Sequence, residues 1–158
     1  MPRGSAYIDV RAPCDVVFDV LHDYSLRLQW DTMLSEARLV GAAPMAAKGV
    51  RSLCVGTWRS AYLPMETEYI TFRPGKVAAV RLTNQPPLFE RFAASIRHTA
   101  LRGGTSRVTY TYSFRARPKR LALLVEPVVA RMMAREVRSR LIALRDFIEH
   151  RLSFKGAV

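Results

Sequence analysis

Few side chains in this sequence have chemistry to offer, and they are scattered. The histidines are His22, His98 and His150, and the cysteines are Cys14 and Cys54. None stands at the spacing of a metal site, which needs several ligands converging from short loops or one helix face, so no metal is expected. There is no Gly-x-Ser-x-Gly elbow, no phosphate-binding glycine loop and no His-Glu-x-x-His helix. Nothing therefore anchors hydrolase, nucleotide or zinc-peptidase chemistry, and no cofactor is expected. What remains are aromatic side chains placed by alternation. In 107–115, Val108, Tyr110, Tyr112 and Phe114 fall on one face and Arg107, Thr109, Thr111, Ser113 and Arg115 on the other. A half-buried strand turns the first set inward. Two inward tyrosines carry hydroxyls that bond protein groups, hold a ligand oxygen or act as weak acids. His98 shares a strand face with Ile96 and Ala100. In 66–72 two settings stay open: Glu66 and Glu68 outward with Tyr69 inward, or Ile70 and Phe72 inward.

These residues need elements to hold them. Residues 6–12 alternate as a strand, and Pro13 suits a first helical turn. Val16, Val17, Val20 and Leu21 give a helical apolar face, and 25–29 forms a second short helical piece leading to Trp30. Strand-like runs follow at 35–40, 49–60, 66–73, 76–83, 89–101 and 105–115. Gly56 invites a bulge, Pro74-Gly75 reads as a turn, and 102–104 reads as a hairpin turn. After Pro118 the period changes. Ala130, Met133, Val137, Leu141, Leu144 and Ile148 form one helical line through a segment of 119–152, with Arg131, Arg135, Arg138, Arg145 and Glu149 opposite. Pro127 invites a kink near its start. Counting back along the line reaches Glu126, which is costly if buried alone. It either pairs with Arg91 or Arg97 or lies in water at a cavity mouth.

The 158 residues, 49% apolar, suit a single domain over 1–158 with a real core. The longest stretch without a charge is nine residues, 39–47, against about twenty for a membrane span. No secretory leader is expected, and the two separated cysteines read as reduced thiols in a cytoplasmic protein. Net charge is +12, and 22 of the 25 bases follow residue 36. Such asymmetry favours an anionic contact or simply a solvated surface. The densest run is Arg115, Arg117, Lys119 and Arg120. It has no interleaved aromatics, so nucleic acid is not expected. An anionic membrane or an acidic protein is the functional alternative to a solvated face.

Residues 12–31, APCDVVFDVLHDYSLRLQWD, resemble the opening signature of the SRPBCC superfamily, in its polyketide cyclase/dehydrase-like branch. Ala12, Pro13, Val17, Phe18, Leu21, Asp23, Tyr24, Trp30 and Asp31 carry the match, and the later elements follow in order. The superfamily is similar in architecture to START lipid-transfer domains and pathogenesis-related allergens. The resemblance implies an α+β helix-grip fold: a curved antiparallel sheet of six to seven strands gripping a long C-terminal helix, with two short helices after the first strand. It also implies an apolar cavity under the long helix. Tyr24 and Trp30 then pack in the plug made by the short helices, with Trp30 or Met33 lining or gating the cavity and the neighbouring aspartates facing solvent. Expected cavity residues are Trp30, Met33, Tyr69, His98, Tyr110, Tyr112, Phe114, Met133 and Val137. The expected function is binding or transport of a small hydrophobic molecule, such as a lipid, polyketide or quinone-like compound. The alternatives are a cyclase or dehydratase using the same cavity, and a partner-binding regulator with a filled core.

Overall fold

The computed structural model describes residues 1–60 and 62–155. Strand β1 (Arg3–Val10) is followed by helices α1 (Cys14–His22) and α2 (Arg27–Trp30). Six further strands are β2 (Leu34–Leu39), β3 (Arg51–Gly56), β4 (Pro64–Arg73), β5 (Val77–Leu82), β6 (Phe89–Ala100) and β7 (Ser106–Ala116). Helix α3 (Ala122–Lys155) closes the chain. The seven strands make one antiparallel sheet in the order β1-β7-β6-β5-β4-β3-β2. Every connection from β2 to β7 joins neighbours, and β1 pairs with β7, so the first and last strands lie side by side at one edge.

Local chemistry explains the joints. The Pro13 carbonyl accepts the first bond of α1, from Val17 N–H at 3.1 Å. Gly103 and Gly104, both at positive φ, turn β6 into β7, a conformation glycine adopts without a Cβ penalty. Gly56 does sit beside a bulge, but the extra residue is Ser35 on the facing strand. A second bulge falls at Ile70 and resolves the setting left open in 66–72. Tyr69 is buried and Ile70 is 41% exposed. The extra residue shifts the alternation, so Phe72 returns to the same side and packs on Tyr69 with ring centres 5.3 Å apart. Glu66 and Glu68 face outward and pair with Arg51 and Arg81.

Helix α3 is continuous over 34 residues, roughly 50 Å at 1.5 Å per residue. It runs through Pro127. It packs on β1 and β7, and Val137, Leu141, Leu144 and Ile148 are all buried. Arg11, just past β1, is tied to Glu149 on α3 by two bonds of 3.0 Å. Near the start of α3, half-buried Glu126 accepts the Ala116 N–H at 3.3 Å, so its recorded partner is backbone rather than Arg91 or Arg97. No helix among the described residues is long and apolar enough to cross a membrane.

Candidate functional site

Between the inner face of the sheet and α3 lies a cavity of about 120 Å3. Its apolar wall includes Met65, Val80, Phe92 and Ile96 from the sheet and Met132 and Met133 from α3. Polar groups enter from three regions. His22, Tyr24 and Arg27 come from the α1–α2 region, Tyr69 from β4, and Glu136 and Arg140 from α3. The cavity shares Met33, Met132 and Glu136 with an open recess of about 640 Å3 along α3, bordered also by Arg59, Val128, Arg131 and Arg135.

Of the residues expected from sequence, Met33, Tyr69, Tyr110 and Met133 line this cavity. Trp30, His98, Tyr112, Phe114 and Val137 do not. Trp30 is 2% exposed in the core, with the Arg27 guanidinium 4.8 Å from its ring centre. Phe114 is fully buried against Phe89, with ring centres 5.6 Å apart, and Val137 packs in the same core. Tyr112 points inward but leans over Gly4 on edge strand β1, where a Cβ would collide with its ring and hydroxyl. His98 continues the β6 face beyond the cavity and lies under α1, with its ring 5.3 Å from that of Phe18. Alternation thus assigned the correct face. How far along the strand the helix stays close was a tertiary property, invisible to a period-two count. In the basic run, Arg115 and Arg120 are exposed, Arg117 donates to Gln85 at 3.1 Å, and the Lys119 side chain lies outside the described residues.

The expectation for Asp31 is overturned, because it is fully buried. Asp23 alone faces solvent, where it accepts the Ser25 N–H at 2.9 Å. Asp31 stands between two arginines. Arg27 Nε donates to Oδ2 at 3.0 Å, and Arg27 Nη1 donates to the Leu21 carbonyl at 2.8 Å. Arg140 Nε lies 2.9 Å from the same Oδ2, too poorly aligned for a hydrogen bond. The Met33 N–H donates to Oδ1 at 3.3 Å. Burial alone would push the Asp31 carboxyl up, but the two guanidiniums overcome it and hold the carboxyl below its usual range. Burial likewise opposes charge on Arg27 and Arg140, and Asp31 reverses the balance so that both hold their protons more tightly. The signals in the sequence were the i, i+4 spacing of Arg27 and Asp31 and the place of Arg140, three residues beyond Val137 beside the apolar line.

The second polar group is neutral. Tyr69 OH lies 3.0 Å from His22 Nδ1 and 3.0 Å from Tyr24 OH. Burial first, then Arg27 and His98, press His22 down to about 3, so the ring is uncharged at neutral pH. Burial raises both Tyr24 and Tyr69. Cys54 in the same wall is raised by burial, against the pull of Arg27.

No metal-binding cluster occurs among the described residues. The sequence matches the family model described as "Polyketide cyclase / dehydrase and lipid transport" over residues 1–149. No curated protein matches significantly. Among solved structures, the chain is similar to the Zhui aromatase/cyclase from a Streptomyces species: 15% identity, 96% of this chain and 95% of that one, TM-score 0.82. It is similar to a START superfamily protein from Mycobacterium smegmatis: 11% identity, 94% and 97%, TM-score 0.76. It is also similar to a Thermus thermophilus protein: 16% identity, 94% and 98%, TM-score 0.77. At these identities the structural likeness speaks for the fold, whereas the sequence match spans nearly the whole chain. The chain belongs to the polyketide cyclase/dehydrase and lipid transport family, a helix-grip domain of the SRPBCC superfamily.

Proposed function

We propose that this protein binds a small hydrophobic molecule between its sheet and α3. The observation that carries the reading is the apolar cavity of about 120 Å3, which continues into the recess along α3. The inner space alone is near the size of an engineered cavity that holds benzene and well short of the few hundred Å3 typical of ligand pockets. A larger molecule extends into the recess past Met33 and Met132, whose unbranched thioether chains re-pack readily.

An enzymatic reading has one observation in its favour: three hydroxyls and an imidazole, from Tyr24, Tyr69, Tyr110 and His22, reach the cavity wall. They are suited to donating hydrogen bonds to a ligand carbonyl. General acid–base catalysis needs a group that titrates near the working pH. His22 is held near 3, and burial raises the tyrosines and Cys54. That pattern supports a binder over a cyclase or dehydratase.

Titration with the neutral dye N-phenyl-1-naphthylamine tests the reading. Saturable fluorescence enhancement at one dye per chain is expected. Met133→Trp, which fills the void, should abolish it while far-UV dichroism stays unchanged. A wild-type protein without saturable enhancement would overturn the proposal.

A further inference from the structure

At the polar end of the cavity two buried guanidiniums share a single carboxylate. Arg27 and Arg140 both line the cavity, and both ion-pair with the same oxygen of one carboxylate, Asp31. Both oxygens of that carboxylate are in use: Oδ2 is shared by the two guanidiniums, and Oδ1 takes the Met33 N–H. Arg27 commits Nε and Nη1. Arg140 makes no hydrogen bond to any described residue, although its side chain is only 18% exposed. A guanidinium carries five N–H donors in a planar fork matched to a carboxylate. Leaving one buried and half-satisfied is costly. Glu136 borders the cavity from its outer end, where the recess brings Arg59, Arg131 and Arg135 as well. The recess outside the cavity thus presents three arginines to one carboxylate.

We propose that the ligand is an amphipathic monocarboxylic acid, bound head first, its carboxylate on the free edge of Arg140 and on Arg27 and its apolar tail running past Met33 and Met132 into the recess. The single surplus charge of the Arg27–Asp31–Arg140 triad, with the Glu136 carboxylate also at the cavity wall, calls for no more than a monoanion and disfavours a phosphate dianion. The apolar walls beyond the arginines call for a tail. This rests on the cavity reading above and adds the chemical class of what enters it.

Octanoate and 1-octanol share a tail and differ in head charge, so the pair isolates the claim. In calorimetric titration at pH 7, octanoate should bind at least about tenfold more tightly than 1-octanol. Arg140→Gln should remove that preference. Equal affinities in the wild type, or a preference that survives Arg140→Gln, would overturn the anionic head while leaving the cavity reading standing. Binding of neither compound would sink both. Should Arg140→Gln fail to fold, the wild type still decides. Octanoate, and not 1-octanol, should shift the arginine side-chain 15Nε–H signals of Arg27 and Arg140, and unmoved signals would refute the proposal.

Discussion

The cavity wall holds two buried polar groups that solve the same problem in opposite ways. Arg27, Asp31 and Arg140 stay charged, because each guanidinium finds the one carboxylate and the carboxylate finds both. His22, Tyr69 and Tyr24 stay neutral, passing hydrogen bonds along a chain that carries no charge to desolvate. The first group makes its fold-holding element inseparable from its cavity-facing one, since Arg140 pairs with Asp31 and also lines the cavity. The second is nearly complete within itself. On the binding mode proposed above, the charged group is the one a ligand can complete.

Removing the shared carboxylate breaks this contrast most severely. Asp31→Asn leaves two guanidiniums buried without a counter-charge, and breaking a buried pair from one side costs about 3–5 kcal/mol. Asp23→Asn, eight positions earlier and exposed, should change stability by less than about 0.5 kcal/mol. Urea unfolding of both variants measures the gap. Equal effects would mean that the buried ion pair contributes nothing particular.

The neutral group's His22, and His98 packed on the same Phe18 ring, answer to acid. Burial lowers His98 from its usual 6.5 to about 4, and His22 from 6.5 to about 3. Above pH 6.5 neither the folded nor the unfolded chain protonates these rings, and their contribution is intact. As pH falls below 6.5 the unfolded chain takes up protons that the folded one refuses, so stability falls through the window down to about 4 for His98 and about 3 for His22. For His98 the loss is on the order of 2 kcal/mol at pH 5. Carboxylates begin to titrate only below that. His98→Leu should remove about half of the slope between pH 7 and 5 as read by chemical denaturation, His22 supplying the rest. A slope unchanged by that substitution would place the acid sensitivity elsewhere.

A smaller effect tests whether the tyrosine chain is complete in itself. Tyr69→Phe strands His22 Nδ1 and Tyr24 OH together and should cost about 1–3 kcal/mol, the penalty of buried groups without partners. Adding His22→Leu removes one stranded partner, so the double variant should be more stable than the sum of the two single losses. Simple additivity in thermal unfolding would show that Tyr69 and His22 are neighbours without energetic coupling.

This contrast also explains which features the sequence disclosed. Strand alternation and the Val137–Leu141–Leu144–Ile148 line sort side chains by the face they take, and the order of elements followed from them. Position along a face is another matter. Tyr110 lines the cavity while Tyr112, two residues on, leans over Gly4 on the neighbouring strand. The Ile70 bulge also breaks the period that alternation relies on. Asp31 looked like a helix-end acid because its second partner, Arg140, lies 109 positions away, and one-dimensional spacing does not register such pairs. The same holds for His22 and His98, which stood apart in the chain yet pack against the same Phe18 ring.

The exposed arginines complete the comparison, since burial rather than number gives Arg27 and Arg140 their weight. Arg115 and Arg120 are exposed, Arg117 is half-buried, and exposed Leu121, Leu123 and Leu124 follow on. Next to an anionic bilayer each base is worth up to ~1 kcal/mol, with Leu123 and Leu124 free to enter the interface. Solvent screening over about 8 Å at physiological ionic strength removes much of the electrostatic part. Changing Arg115, Arg117, Lys119 and Arg120 to Gln should therefore alter folding stability by less than about 0.5 kcal/mol per site. Flotation with phosphatidylserine vesicles at low salt should nevertheless fall, whereas recovery on neutral phosphatidylcholine vesicles should not change. If recovery on anionic vesicles survives both the four substitutions and high salt, attachment does not run through this run of bases. Leu123→Ser with Leu124→Ser would then show whether the exposed leucines carry it alone.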